Sequence, residues 1–312
     1  MNGKKISILG TGRVGSSLAY SLVAGGTCSE VVLVDIAKDL AIGEALDIDQ
    51  GVPFLTETSI HAGEYCDVAN SDIIVVTLGR ARKPGQTRLE LAQGNVDIIK
   101  DVMPVVADYA PDAIYVIVSN PVDVLTYATL QVTNLKPNQV IGSGTMLDSA
   151  RLKSILANNF EVASTNIHGY VIGEHGDSSF IPWSVFRMGG LKIDDSFQQK
   201  GDGQEISLES IEEEVRTAGA TVIAKKGATN YAIAASVNYI CNCILNNTKN
   251  ILPVSSLLTG EYGIENICLS LPSVVGVNGI NKKLEIPLEP KELKKLHVSE
   301  KALKDIVAGL TF

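Results

Sequence analysis

The chain has 312 residues, 45% of them apolar and 20% charged, with a formal net charge of −9. That length suits two domains of roughly 100–200 residues each. An acidic chain lacks the basic surface that phosphate-backbone binding requires, so no nucleic-acid partner is expected. Apolar runs such as 73–78 and 114–118 fall far short of the ~20 residues of a membrane span, so no membrane partner is expected either.

Short β-branched runs predict strands over 5–10, 31–35, 72–78, 114–119 and 140–142. Helical patterns over 13–25, 38–50, 88–108 and 122–133 lie between them. Nearly continuous apolar strands separated by helices predict a parallel sheet covered on both faces, the doubly wound α/β Rossmann architecture. The pattern changes after about residue 143. A helix over 147–159 leads to a strand over 167–173, and long helices follow over 208–226 and 228–246. A strand-rich stretch over 251–277 and a closing helix over 290–310 complete the chain. The division expected is a dinucleotide-binding domain over 1–143 and an α+β substrate domain over 144–312, with the site in the crevice between them. No internal repeat or low-complexity linker interrupts it, and Glu212-Glu213-Glu214 reads as a solvated helix face.

Cys28, Cys66, Cys241, Cys243 and Cys268 are scattered, with no CxxC and no Cys/His ligand spacing. Reduced thiols and no metal site are expected, and with no secretory pattern at the start the expected location is cytoplasmic.

Gly10-Thr11-Gly12-Arg13-Val14-Gly15 follows the first strand and opens a helix. In such a loop Gly10 allows the tight turn, Gly12 lets backbone approach a pyrophosphate, and Gly15 lets helix and strand pack closely. The helix N-terminus, with Arg13 and Val14, offers N–H donors to phosphate. Asp35 closes the next strand, where a carboxylate accepts from ribose hydroxyls and repels a 2′-phosphate, so the cofactor expected is NAD and not NADP.

Asp148 and Arg151 are three residues apart in a helical segment and share a face. Arg151 carries a planar fork suited to a carboxylate, and Asp148 is placed to orient a histidine. His175 lies in a glycine-flanked turn after a strand, and imidazole can give and take a proton near neutral pH. A partner carboxylate would fix its tautomer and stabilise the imidazolium. His61 and His297 have no such company and read as ordinary surface or packing residues.

The chain resembles the L-lactate/malate dehydrogenase superfamily over essentially its whole length. The resemblance rests on the glycine motif, Ser119-Asn120-Pro121-Val122-Asp123, Leu147-Asp148-Ser149-Ala150-Arg151 and Gly173-Glu174-His175-Gly176-Asp177, matched in that order. It implies an NAD-dependent 2-hydroxy acid dehydrogenase in which His175 is the acid/base, Asp148 its partner, and Arg151 the ligand of the substrate carboxylate. By the same resemblance Arg88, at the end of a mobile loop, polarises the carbonyl; Asn120 sits near carbonyl and nicotinamide; and the bond before Pro121 is cis. A non-catalytic NAD-binding redox sensor would have no reason to keep this set. The NAD-dependent glycosidase branch of the fold would need metal ligands that are missing here.

Two sets of residues point to different substrates. The stretches 178–184 and 226–233 resemble lactate enzymes, with Thr229 lining the substrate side-chain pocket. Arg82, in Ala81-Arg82-Lys83-Pro84-Gly85, instead resembles malate enzymes, and an inward-pointing cation favours a dicarboxylate. The expectation is the lactate branch, with pyruvate reduced by NADH, and the alternative is oxaloacetate/malate. His168 and, less well, Lys153 resemble the fructose 1,6-bisphosphate site of activated bacterial enzymes. Arginine is usual where Lys153 stands, and lysine binds phosphate without the bidentate fork. The resemblance also implies a homo-oligomer, a tetramer favoured over a dimer.

Overall fold

The computed structural model describes residues 3–80, 85, 87–193 and 207–312. Its first half runs β1 (Lys5–Leu9), α1 (Arg13–Ala24), β2 (Glu30–Val34), α2 (Lys38–Gly51), β3 (Ser59–Ala62), β4 (Ile73–Val76), α3 (Arg88–Tyr109), β5 (Ile114–Ile117), α4 (Val122–Val132) and β6 (Val140–Gly142). The strands lie in the order β3-β2-β1-β4-β5-β6, all parallel. This is the Rossmann order, reversing between β1 and β4, and a crevice opens at that reversal beyond the strands' carboxyl ends. Both faces of the sheet are covered. On β4, Ile73 and Val75 pack with Leu18 and Leu22 of α1, while Ile74 and Val76 pack with Val96, Ile99 and Met103 of α3. Alternate side chains thus enter two different apolar layers, which is why the strand reads as an unbroken apolar run.

The second half runs α5 (Met146–Phe160), β7 (Ile167–His168), β8 (Arg187–Met188), β9 (Leu191–Lys192), α6 (Leu208–Lys226), α7 (Tyr231–Leu245), β10 (Asn250–Thr259), β11 (Glu265–Gly276), β12 (Gly279–Lys283) and α8 (Pro290–Ala308). Strands β10, β11 and β12 pair antiparallel, and β10 meets β6 where Ser255 faces Gly142. The sheet therefore continues across the chain's midpoint to nine strands. Strands β7, β8 and β9 make a separate antiparallel sheet over a third core that includes Leu152, Leu156, Phe186 and Val215. Helix α7 packs back on α1. The Asn238 amide donates to the Ser21 carbonyl at 3.0 Å and accepts from the Thr27 hydroxyl at 2.7 Å, which ties the late helix to the first.

Four elements differ from the sequence reading. The strand expected over 167–173 pairs in a ladder only at Ile167–His168. Beyond it, Gly169 passes so close to Phe186 that a Cβ there would lie 1.9 Å from the ring, and Gly173 has φ +95°. The chain leaves the small sheet, bridges Phe180 at Ile172, and reaches the large sheet through the single bridge from Gly173 to Ser270. Helix α7 starts at Tyr231 and not at 228, because Gly227, with φ +86°, ends α6 and leaves 228–230 as a connector. Strands β3 and β12, unread in the sequence, occupy the two edges of the nine-stranded sheet.

Candidate active site

The glycine loop is built as its sequence requires. Gly10 has φ +97°, and a Cβ there would sit 2.8 Å from the Leu78 nitrogen. A Cβ on Gly15 would lie 1.9 Å from the Gly10 carbonyl oxygen, so α1 can approach β1 this closely only with glycine. Gly12 has nothing within 4 Å of its missing Cβ, and it caps α1 without a side-chain hydrogen bond. The first-turn N–H groups of α1, at Arg13 and Val14, therefore face an open approach suited to phosphate oxygens. Asp35 stands beside this loop. Its Oδ2 accepts from the Thr11 N–H at 2.6 Å and the Thr11 hydroxyl at 3.1 Å, and its Oδ1 accepts from the Ala37 N–H at 2.8 Å. The carboxylate is thus held rigidly at the carboxyl end of β2, the ribose position of a Rossmann fold. These residues fit a dinucleotide without a 2′-phosphate.

The proton-handling corner lies across the crevice. Asp148 and Arg151 are in the first turns of α5, and the Arg151 guanidinium donates to Asp148 Oδ1 at 2.9 Å. Asp148 Oδ2 lies 2.6 Å from His175 Nδ1. With Nδ1 committed, Nε2 is the nitrogen left for a ligand. Burial works against the imidazolium, but Asp148 and then Asp123 outweigh it, so His175 titrates above the usual histidine value. Burial likewise resists ionisation of Asp148, yet His175 and Arg151 hold its carboxyl below the usual carboxylate range. The result is a half-buried histidine that keeps its proton to higher pH than a free one.

The surrounding cleft, of about 370 Å³, draws on both halves of the chain, with Val14, Asn120, Asp148, Arg151, His175 and Thr229 among its walls. Asn120 precedes Pro121 through a cis peptide bond, as the resemblance implied. Thr229 sits in the connector between α6 and α7, and its neighbour Asn230 donates to the Ser17 hydroxyl of α1 at 2.8 Å. Arg88 opens α3 behind a capping box made by Thr87 and Glu90. Its guanidinium is bonded to the Asp177 carboxylate at the exposed rim of the cleft. Arg82, Lys83 and Pro84 lie outside the described residues.

His168 and Lys153 have separate surroundings. His168 is exposed on β7. Lys153 is half-buried over the Tyr170 ring, 5.8 Å from its centroid, and burial pulls its ammonium below the usual lysine value. It lines a second cavity with Tyr239 and Lys249, of which His168 is not a wall. His61 and His297 lie beside the glutamates Glu30 and Glu300, away from the cleft. Among the described residues no three His, Cys, Asp or Glu side chains are grouped to hold a metal, and no helix is long and apolar enough to cross a membrane.

Three contributors had no role assigned from sequence. Asn95, buried in α3, donates to the Asn120 carbonyl at 2.7 Å and accepts from the Arg80 N–H at 2.8 Å, fixing both strand-end loops. Asp123, in the first turn of α4, accepts from the His175 N–H at 2.7 Å. Arg216 of α6 adds a further cation to the cleft wall, paired at 2.6 Å with Glu213. The available signal for Asn95 is a single polar residue on the otherwise apolar buried face of α3, and for Asp123 a charged residue on a helix whose other buried residues are uncharged.

Residues 4–142 match the NAD binding domain of lactate/malate dehydrogenase, and residues 145–311 match that family's alpha/beta C-terminal domain. The chain belongs to the lactate/malate dehydrogenase family. Within it, the chain is 46% identical over 307 residues to the L-lactate dehydrogenase of Thermoanaerobacter pseudethanolicus, covering 98% of this chain and 99% of the relative. It is 44% identical over 305 residues to L-lactate dehydrogenase 1 of Clostridium acetobutylicum, covering 96% of each. Among solved structures, a lactate dehydrogenase from a Medee basin deep-sea metagenome library superposes with a TM-score of 0.94 at 37% identity, covering 99% of both chains. The minor L-lactate dehydrogenase of Enterococcus mundtii gives 0.94 at 36%, covering 99% of this chain and 98% of that one.

Proposed function

We propose that the chain is an NAD-dependent L-lactate dehydrogenase that reduces pyruvate to L-lactate. The observation that carries the reading is the contact of His175 Nδ1 with Asp148, 2.6 Å apart, in a cleft whose opposite wall is the dinucleotide crevice. Residues 1–143 hold the cofactor through Gly10, Gly12, Arg13, Val14, Gly15 and Asp35, and residues 144–312 supply the acid/base machinery. Bound NADH supplies the hydride that reduces the keto carbon. Arg151 grips the substrate carboxylate with its fork while keeping one donor on Asp148. His175 gives the Nε2 proton to the keto oxygen, and the imidazole left behind stays oriented by Asp148. Asn120 borders the reacting carbonyl. Arg88 must leave Asp177 to reach the developing negative charge on that oxygen, which makes substrate binding and rim rearrangement one event. Thr229 borders the methyl end of pyruvate.

Relatives 41–46% identical over nearly the full chain bear the name L-lactate dehydrogenase, and this supports pyruvate. Arg82, outside the described residues, is the sequence feature that favours oxaloacetate, because an arginine that enters a closed cleft is relieved by a second carboxylate. The test is kcat/KM for both acids, with and without fructose 1,6-bisphosphate. Pyruvate is expected to be the better substrate, and Arg82→Gln should raise its advantage about tenfold or more. A preference for oxaloacetate moves the chain to the malate branch, and inactivity with both ends the dehydrogenase reading. Activation by the bisphosphate would support His168 and Lys153 as its ligands, and no response would remove that role. The reading also takes the protein to be cytoplasmic and a homotetramer. Exposed Ile42 and Leu46 on α2, Phe54 just after it and Val222 on α6 offer apolar surface for subunits to cover.

A further inference from the structure

Asp123 is a buried carboxylate in contact with the acid/base residue that the mechanism above leaves unused. It lies two residues after the cis peptide at Pro121, in the first turn of α4, and is 2% exposed. Its Oδ2 accepts the His175 N–H at 2.7 Å. Its Oδ1 is buried beside the equally buried hydroxyl of Ser255 on the neighbouring β10, and among the described residues neither atom has any other partner. A buried carboxylate facing only a hydroxyl and one backbone N–H is costly, and a backbone N–H could be satisfied as well by a neutral amide. Something must offset that cost, and among the described residues the cation that acts directly on this carboxylate is the His175 imidazolium.

The groups facing Asp123 come from every side. The His175 N–H and ring draw its carboxyl down, as does the nearby Ser255 hydroxyl. Glu174, itself buried and bonded by the Ser178 hydroxyl, repels it. The Cys268 thiol on β11 stays protonated, pushed up by burial, with Asp123 adding to the shift and Lys283 opposing it. Burial is the largest influence and moves the Asp123 carboxyl up to about 6. The carboxylate is therefore ionised in the neutral range, where a histidine proton is most at risk of being lost.

We propose that Asp123 is a positioning residue of the acid/base centre, a second buried carboxylate that anchors the His175 backbone and places negative charge behind the imidazole, helping it hold the proton it delivers. The assignment rests on the dehydrogenase reading for its role in turnover, but its electrostatic content can be measured without turnover. Asp123→Asn keeps an acceptor for the His175 N–H and removes only the charge. Two readouts on the full chain apply: the pH profile of kcat/KM for pyruvate, and the His175 imidazole titration followed by NMR.

The expected result is a variant that matches the parent at acid pH, where the carboxyl is protonated in any case. On the alkaline limb it loses about tenfold in kcat/KM, with the imidazole titration displaced to lower pH. A uniform loss at all pH values, or an unchanged imidazole titration, would show a structural clamp only and overturn the proposal. If the parent turns over neither pyruvate nor oxaloacetate, the functional reading fails, while the titration still decides the role of Asp123. Should Asp123→Asn not fold, Ser255→Ala gives the second test. Removing that hydroxyl raises the Asp123 carboxyl further, so the alkaline limb should move in the same direction by a smaller amount, and an unmoved limb contradicts the account.

Discussion

His175 is surrounded by charges that disagree about its proton. Burial and Arg151 oppose the imidazolium, and Asp148 and Asp123 favour it and prevail, so its titration lies above the ordinary histidine value. The consequence for rate has a definite sign. Reduction of the keto acid needs the protonated ring, so it should fall as pH rises through that raised value, and oxidation of the hydroxy acid, which needs the neutral ring, should rise through the same range. Asp148→Asn removes the larger attraction. We expect its pH profile for pyruvate reduction to move to lower pH and its kcat to fall by about a hundredfold or more, checked by steady-state rates across pH. His175, Asp148 and Arg151 were legible from sequence because their motifs have fixed spacing. Asp123 was quoted in its motif but given no role, and Asn95 was not singled out. A polar residue on a helix's buried face does not reveal what it meets, and both meet partners on other elements.

At the scale of elements, what was legible follows burial. Strands β1, β2, β4, β5 and β6 lie inside the sheet and carry runs of buried β-branched residues. The edge strands β3 and β12 have only a few apolar positions each, because one flank faces solvent and their sequences are mixed. The strand expected over 167–173 went astray for a tertiary reason: Phe186 presses on Gly169, and the backbone turns toward β11 to present His175. The β1–α1 junction depends most tightly on one residue. Gly15→Ala places a methyl group 1.9 Å from the Gly10 carbonyl oxygen, with little room to yield because both partners are backbone. A loss of about 2 kcal/mol of stability is expected, read by denaturant unfolding, together with weaker NADH binding because the phosphate loop must shift. An unchanged unfolding midpoint would mean that helix and strand can separate freely at this point.

The whole molecule divides labour between its halves while joining them through one sheet. The Rossmann half ends at β6, and β10 pairs with it through Ser255 and Gly142, so β6 and the strand β11 that Gly173 bridges just before His175 belong to one continuous sheet. Helix α7 locks onto α1 through Asn238, and Asn230 reaches Ser17 beside the glycine loop. The helix of the glycine loop and the connector that carries Thr229 are thereby joined by direct hydrogen bonds. Sequence periodicity indicated the two halves but not this continuity, which exists only once distant strands pair. Binding of the dinucleotide should then be separable from proton transfer, since Gly10, Gly12, Gly15 and Asp35 make no contact with the His175 ring. The most direct measurement is pyruvate-dependent NADH oxidation by His175→Gln, with NADH affinity measured on the same protein. The account predicts a fall in kcat of about a thousandfold with NADH affinity preserved; turnover within tenfold of the parent would contradict it.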